Sequence, residues 1–203
     1  MVTTLAVILT IGVSYLAWKR PGMQDGLCHF PYQESHKNEH FRLLTAGFLH
    51  GSMTHLIVNM FVLYQFGSFV EQYFKYKNGD TGGLLMFAFF YLSAIVVANL
   101  GTYFKHRDNP GFRSVGASGV TSALVFIYCL FDPWQMFLWP PVPAIVLFVG
   151  YIYYSSWATK NSRDNVDHQA HLWGAIFGVA FIMVTDMGLI LSFLNKLINP
   201  PFL

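Results

Sequence analysis

Charge is what this chain has least of. Only 11% of its 203 residues are Asp, Glu, Lys or Arg, while 54% are hydrophobic; soluble domains carry roughly a quarter charged residues. A soluble globular protein is therefore excluded and a polytopic membrane protein is expected. Cysteine is nearly missing too. Cys28 in the first loop and Cys129 inside an apolar run are too few and too scattered for a disulfide framework or a Cys-based metal site, and they say nothing about compartment. The net charge is only +2 and the basic residues are dispersed, which leaves no footprint for nucleic acid. No internal repeat, low-complexity tract or His-Glu-x-x-His zinc pattern is present.

Long apolar runs are abundant. A membrane-crossing helix needs about 20 mostly apolar residues, and six windows of that kind run approximately over 2–18, 53–69, 83–104, 115–131, 141–157 and 170–187. The expected fold is an all-α bundle of six transmembrane helices forming a single membrane domain over 1–203. The first window resembles a secretory signal in its apolar run. It lacks a basic start and a small-residue cleavage pattern before Lys19-Arg20, so it reads as a retained span. The longest polar stretch, from Lys19 to about Gly51, mixes Pro21, Gly22, Gly26 and Pro31 with aromatics and reads as a loop with structure of its own.

Chemistry enters with Gly116-Ala117-Ser118-Gly119, where the loop after Pro110-Gly111 gives way to the fourth run. The spacing predicts Ser118 at a helix N-terminus, where unpaired backbone N–H groups face a developing negative charge. The fourth window is short for a full span, which places its first residue below the membrane surface in a wet cavity. Gly-x-Ser-Gly alone also fits plain helix packing. The sixth run adds Ala170-His171 with Gly174 and Gly178, so that His171, Gly174 and Gly178 fall at i, i+3 and i+7 on one helix face. Small residues there let the helix approach a neighbour closely and carry the imidazole with it. A histidine in a span is costly and marks a functional candidate. A hydroxyl becomes a useful nucleophile once an imidazole takes its proton, so the pair suggests peptide hydrolysis inside the membrane. His168, one turn earlier beside Asp167, competes for the role but fits a solvated or capping position.

In the second window His55 and Asn59 are four residues apart and share a face that Val62 and Phe66 continue. The plain reading is an interhelical hydrogen bond. The functional one is an oxyanion site, whose donors each contribute about 2.7 to 4 kcal/mol. His50, at the expected helix start, reads as a structural hydrogen-bonding group. Glu71, at the far end of the window with Gly67, reads as a tie between a helix end and a loop. Trp134, Trp139, Tyr151, Tyr153, Tyr154 and Trp157 read as interface-belt or packing aromatics.

Taken together, Gly116 to Gly119, His55 with Asn59, Gly67 to Glu71, and Ala170-His171 with Gly174 and Gly178 make the chain resemble a rhomboid intramembrane serine protease over nearly its whole length. The resemblance implies Ser118 as nucleophile and His171 as base in a Ser-His dyad without aspartate. It also implies oxyanion donors from the Gly116 and Ser118 N–H groups and from the His55 and Asn59 side chains. His50, Arg42, Gly67, Glu71, Gly119, Gly174 and Gly178 become structural motif positions. The implied partners are single-span membrane proteins, cut near the bilayer surface beside the fifth span, with neither metal nor other cofactor; the first loop is implied to lie partly in the membrane.

Two positions depart from the family pattern. Phe41-Arg42 stands for the frequent Trp-Arg of the first loop, and Ser122 stands four residues after the nucleophile, where a tyrosine often packs on the base. Charge also bears on orientation. Nine Lys and Arg (Lys19, Arg20, Lys37, Arg42, Lys105, Arg107, Arg113, Lys160 and Arg163) lie in the loops after windows one, three and five, against Lys75, Lys77 and Lys196 elsewhere. The positive-inside rule alone would make those loops cytoplasmic. The resemblance implies the reverse, a multi-pass protein of the cell (inner) membrane whose active site opens to the non-cytoplasmic side, and that orientation is the expectation here. Two other classes compete with the protease: a rhomboid-like pseudoprotease that binds transmembrane helices without cutting them, and a haem or metal protein using some of the eight histidines.

Overall fold

The computed structural model describes residues 1–138, 141–161 and 166–200; Trp139 and Arg163, named above among belt aromatics and loop charges, lie outside them. The chain is helical almost throughout. Helix α1 (Val2–Lys19) buries small residues, namely Thr3, Ala6, Thr10, Ser14 and Ala17. It exposes large apolar ones, among them Leu5, Ile8, Leu9, Ile11 and Leu16. That pattern is the reverse of a helix folded in water, where exposed apolar area costs roughly 25 cal/mol per Å². In lipid the outward leucines cost nothing and the inward small residues allow close packing. The protein is an integral membrane protein.

The polar stretch after α1 folds into α2 (Met23–Leu27), α3 (Pro31–Lys37), α4 (Arg42–Thr45) and a 3-10 turn (Ala46–Phe48). Arg42 ties it together. Its Nε donates to Glu39 Oε2 at 2.7 Å, Nη1 to the Asp25 and Cys28 carbonyls at 2.7 and 3.2 Å, and Nη2 to Gln33 Oε1 at 2.9 Å. A planar guanidinium is suited to such a many-sided contact.

Helix α5 (Met53–His106) runs 54 residues, broken only at Gly79, whose φ of 73° and ψ of 169° suit a residue without a Cβ. Its two arms fold back on each other: the Phe74 ring lies 6.5 Å from Phe87 and 6.0 Å from Phe90. A Cβ at Gly83 would stand 2.3 Å from the Lys75 backbone, so this glycine permits the hairpin. Each arm of about 26 residues rises about 39 Å, enough for a hydrocarbon core of about 30 Å. The windows at 53–69 and 83–104 are thus arms of one helical hairpin. The gap between them is helix up to a one-residue break, along which Tyr73 and Lys77 reach Asp186 and Lys75 reaches Asp80.

Helix α6 (Ser118–Cys129) is the centre of the bundle, with nine of its twelve residues buried, and it rises only about 18 Å. Helices α7 (Ala144–Asn161) and α8 (His168–Thr185) flank it. A last helix, α9 (Met187–Ile198), lies beyond the windows read from the sequence in all but its first residue. By length and composition α1, α5 and α8 qualify to cross a membrane among the described residues, α5 having two arms.

Gly67 and Glu71, one turn apart on α5, receive the start of α1. Glu71 Oε2 accepts from the Thr3 N–H at 2.8 Å and from its hydroxyl at 2.7 Å, and a Cβ at Gly67 would meet Thr3 Cγ2 at 3.1 Å. The expected tie from Glu71 to a loop is instead a tie between two helices. The carboxylate serves the first turn of α1, where orphan N–H groups and the positive end of the dipole favour an anion.

Candidate active site

Two helices carry the serine and the histidine, and their backbones touch. A Cβ on Gly174 of α8 would stand 2.0 Å from the carbonyl oxygen of Gly119 on α6, and one on Gly178 would stand 2.5 Å from that of Ala123. Gly119 in turn abuts Ala98 on α5 and the Ala170 carbonyl, at 2.4 and 3.3 Å from its missing Cβ. Three glycines therefore set the separation of α6 and α8: Gly174 and Gly178 on the i, i+3, i+7 face, and Gly119 opposite them on α6.

Ser118 is the first residue of α6, so its backbone N–H has no acceptor within the helix. The turn before it is held by the first loop. Ser114 pairs with His29 through two backbone hydrogen bonds of 3.0 Å, and the Gly116 N–H donates to the Ala46 carbonyl at 3.0 Å. The Gly116 N–H is thus already engaged, which corrects its expected oxyanion role. What Gly116 contributes is shape. It adopts a φ of 137°, and its missing Cβ would lie 2.7 Å from His55 Cε1, 3.0 Å from His55 Nε2 and 3.7 Å from Ser118 Oγ. Only glycine lets that imidazole and that hydroxyl flank the same point.

His55 and Asn59 come from the first turns of α5, which Ser52 caps by accepting the His55 N–H at 3.2 Å. Asn59 is fixed at both ends of its amide. Nδ2 donates to the His55 carbonyl at 2.9 Å, and Oδ1 accepts from Thr121 Oγ1 on α6 at 3.2 Å. His50 is buried behind them. The Ser14 hydroxyl donates to the Phe48 carbonyl at 3.0 Å, so its oxygen accepts from His50 Nδ1 at 3.1 Å; His50 Nε2 then accepts the Ala117 N–H at 3.4 Å. Burial pushes this imidazole down to about 3, and the neighbouring His55 acts in the same direction. His50 is therefore neutral, as an acceptor requires, and links α1 to the nucleophile turn.

One cavity of about 550 Å³ is lined by Ser118, His171, His55, Asn59, Ser122 and Tyr151, and also by Asp167 and Ser114. The structure thus brings the expected nucleophile, base and two side-chain donors to a common space. His168 starts α8 and lines a different, smaller pocket beside Lys105 and His106. Gly67, Glu71 and Arg42 brace the fold elsewhere. Among the described residues no three His, Cys, Asp or Glu side chains gather to hold a metal ion.

Two residues of this region escaped the sequence reading. Tyr151, read as a belt or packing aromatic, faces the cavity, with its ring 6.2 Å from that of His171 and 21° from parallel. Nothing in the sequence separates it from Tyr153 and Tyr154, which do face outward. Asp167, next to His168, does more than cap α8. Its Oδ1 accepts from the Ala170 N–H at 3.0 Å and from Thr102 Oγ1 at 2.7 Å, and its Oδ2 from Ser114 Oγ at 2.8 Å. An acidic residue just before an apolar run is the available signal.

Comparison with known proteins agrees with this architecture. Residues 37–186 match the model of the Rhomboid domain. The chain is 28% identical over 187 residues to presenilin-associated rhomboid-like protein A, mitochondrial, of Danio rerio, covering 89% of this chain and 47% of the relative. The protein of that name in Mus musculus is 26% identical over 187 residues, covering 89% and 48%. Rhomboid-like protein 11, chloroplastic, of Arabidopsis thaliana is 30% identical over 156 residues, covering 70% and 51%. The chain spans about half the length of the curated relatives it matches. It belongs to the rhomboid family, a family of intramembrane serine proteases.

Proposed function

We propose that this protein is an intramembrane serine endopeptidase that cuts single-span membrane proteins near the bilayer surface. The observation that carries the reading is the convergence of Ser118, His171, His55 and Asn59 on one cavity inside a lipid-facing bundle. His171 takes the Ser118 hydroxyl proton as Oγ attacks the scissile carbonyl carbon. The carbonyl oxygen becomes an oxyanion, met by the Ser118 N–H and by the His55 and Asn59 side chains. Collapse breaks the C–N bond, with the proton passing from His171 to the leaving amine. Water entering the cavity, deprotonated by His171, attacks the acyl-enzyme and releases the new carboxylate and the Ser118 hydroxyl. The Gly116 N–H takes no part, because it is bonded to Ala46.

A fluorophosphonate is expected to label the purified protein at Ser118, with labelling lost in Ser118→Ala and His171→Ala; unchanged labelling in both refutes the dyad. Turnover of a reporter transmembrane helix with a small-residue cleavage site separates a protease from a protein that binds helices without cutting them. Comparing membrane proteomes with active protein and with Ser118→Ala identifies substrates.

The proposed setting is the cell (inner) membrane, multi-pass, with the cavity opening to the non-cytoplasmic side. The names of the relatives place those proteins in mitochondria and in a chloroplast, so fractionation is part of the test. Arg42 favours this orientation over a simple charge count, because it is buried against Glu39 and so weighs little as a free loop charge. Lys77 stands near the Gly79 break and Arg107 just past the other end of α5. Cysteine replacements at the two should label from opposite sides in intact cells, Arg107 from outside.

A further inference from the structure

The base is expected to be held by something, and α6 does not supply the ring that would do it. Four residues after Ser118 stands Ser122, whose hydroxyl donates to the Ser118 carbonyl at 2.7 Å. The same Ser122 Oγ lies 2.5 Å from the hydroxyl of Tyr151 on α7, so Tyr151 donates to it. The Tyr151 ring, fixed at its far end by this bond and packed edge-on to Phe126 at 5.3 Å and 60°, lies nearly parallel to the His171 ring. Offset parallel rings with centroids between 4.5 and 7 Å attract beyond simple burial. Tyr151 thus joins α7 to both the serine helix and the histidine helix.

We propose that Tyr151 is a positioning residue for His171, anchored by Ser122 and acting beside the His168 ring, which lies 5.9 Å from that of His171, so that the placement of α7 tunes how the imidazole is held for proton transfer. The inference rests on the Ser118–His171 reading above. Its physical content is division of labour: α7 provides the aromatic face, α6 provides the hydroxyl that fixes it, and α8 carries the ring that is held. A displacement of α7 away from α6 breaks the Ser122–Tyr151 bond and withdraws the ring from His171 together. A base held less firmly still takes a proton, but less often from the reactive geometry, which lowers kcat rather than raising KM.

The test uses the full chain in lipid nanodiscs, a reporter transmembrane helix, and NMR of the histidine ring protons, with the His171 signal assigned by its loss in His171→Gln. Tyr151→Leu is expected to lower kcat about tenfold with KM within about twofold, and to remove the ring-current shift from the His171 signal. Tyr151→Phe, which keeps the ring, should hold kcat within about threefold and retain the shift. Ser122→Ala, which removes the same hydrogen bond and keeps the ring, should match Tyr151→Phe. A Tyr151→Leu variant with wild-type kcat and an unmoved His171 signal overturns the proposal, as does Tyr151→Phe losing as much as Tyr151→Leu. If the wild type shows no Ser118-dependent turnover, the dyad reading fails by itself, and the His171 signal in Tyr151→Leu still decides whether Tyr151 holds that ring.

Discussion

Replacing Gly174 by alanine tests the contact on which the proposed dyad depends. The added methyl would stand 2.0 Å from the Gly119 carbonyl oxygen, 2.7 Å from its carbonyl carbon and 3.0 Å from its Cα. A carbon facing a carbonyl oxygen settles at about 3.3 Å, so α8 has to withdraw from α6 by about 1.3 Å. Both obstacles are backbone, and neither swings aside as a side-chain end does. Gly119 heads α6 immediately after Ser118, and Gly174 is one turn from His171, so the separation falls on the two groups of the proposed dyad. A misplacement of 1 Å costs up to about 10²-fold in rate, equivalent to about 2.7 kcal/mol. Overpacking also lowers stability by about 1 to 3 kcal/mol, and each kcal/mol is about 2 to 4 °C in Tm for a chain of this size. Gly174→Ala is therefore expected to lower kcat on a reporter helix by about 10²-fold while lowering Tm only modestly, with the protein still folded at the assay temperature. Gly150→Ala, where a Cβ meets nothing within 4 Å, is the matched control and should behave as wild type. A Gly174→Ala variant with kcat within about threefold of wild type refutes the idea that this backbone contact sets the geometry.

Two further outcomes follow from the first loop and its neighbour. Arg42→Lys keeps the charge but replaces a planar fork reaching four residues with a single ammonium, so a loss of about 2 to 3 kcal/mol in thermal or denaturant unfolding is expected; an unchanged midpoint refutes the bracing role. His50 is held well below its free value, at about 3. A depressed folded-state value means that the contribution is present above about 6.5 and is lost as pH falls from there toward about 3, by up to about 1.4 kcal/mol per pH unit. Unfolding between pH 7 and 4 should show this slope in the wild type and a flatter one in His50→Gln; equal slopes refute it.

The sequence made the apolar runs and the two residues of the proposed dyad legible for physical reasons. Apolar runs are conspicuous when only 11% of residues are charged, and a histidine inside such a run is expensive enough to stand out. The glycine face of α8 was legible because helical period fixes which residues share a side. Other features were hidden because they depend on tertiary contact. The backbone pairing of Gly116 with Ala46 joins residues 70 apart, and no local pattern reveals that an N–H is already engaged. Tyr151 sits among other tyrosines and tryptophans, and only the packing of α7 selects it from Tyr153 and Tyr154. The Gly79 break left helix on both sides, along which Tyr73, Lys75 and Lys77 keep partners, whereas polar residues between two apolar runs read as a loop.

The first loop has a clearer physical role once these contacts are traced. Ser118 begins a helix of about 18 Å, shorter than a bilayer core of about 30 Å, and the proposed reading puts the turn before it at a depth where irregular backbone is stable only if protein satisfies it. The loop supplies that satisfaction. His29 pairs with Ser114, the Ala46 carbonyl takes the Gly116 N–H, and His50 takes the Ala117 N–H, three successive ties along four residues. Those ties would drift if the loop were free, and Arg42 fixes it to itself through Asp25, Cys28, Gln33 and Glu39 while Asn99 of α5 donates to the Leu43 carbonyl at 2.8 Å. The arginine thus acts on Ser118 at two removes. It holds a loop that holds a turn, and the turn leaves the Ser118 N–H at the head of α6, where an incoming carbonyl oxygen would meet it.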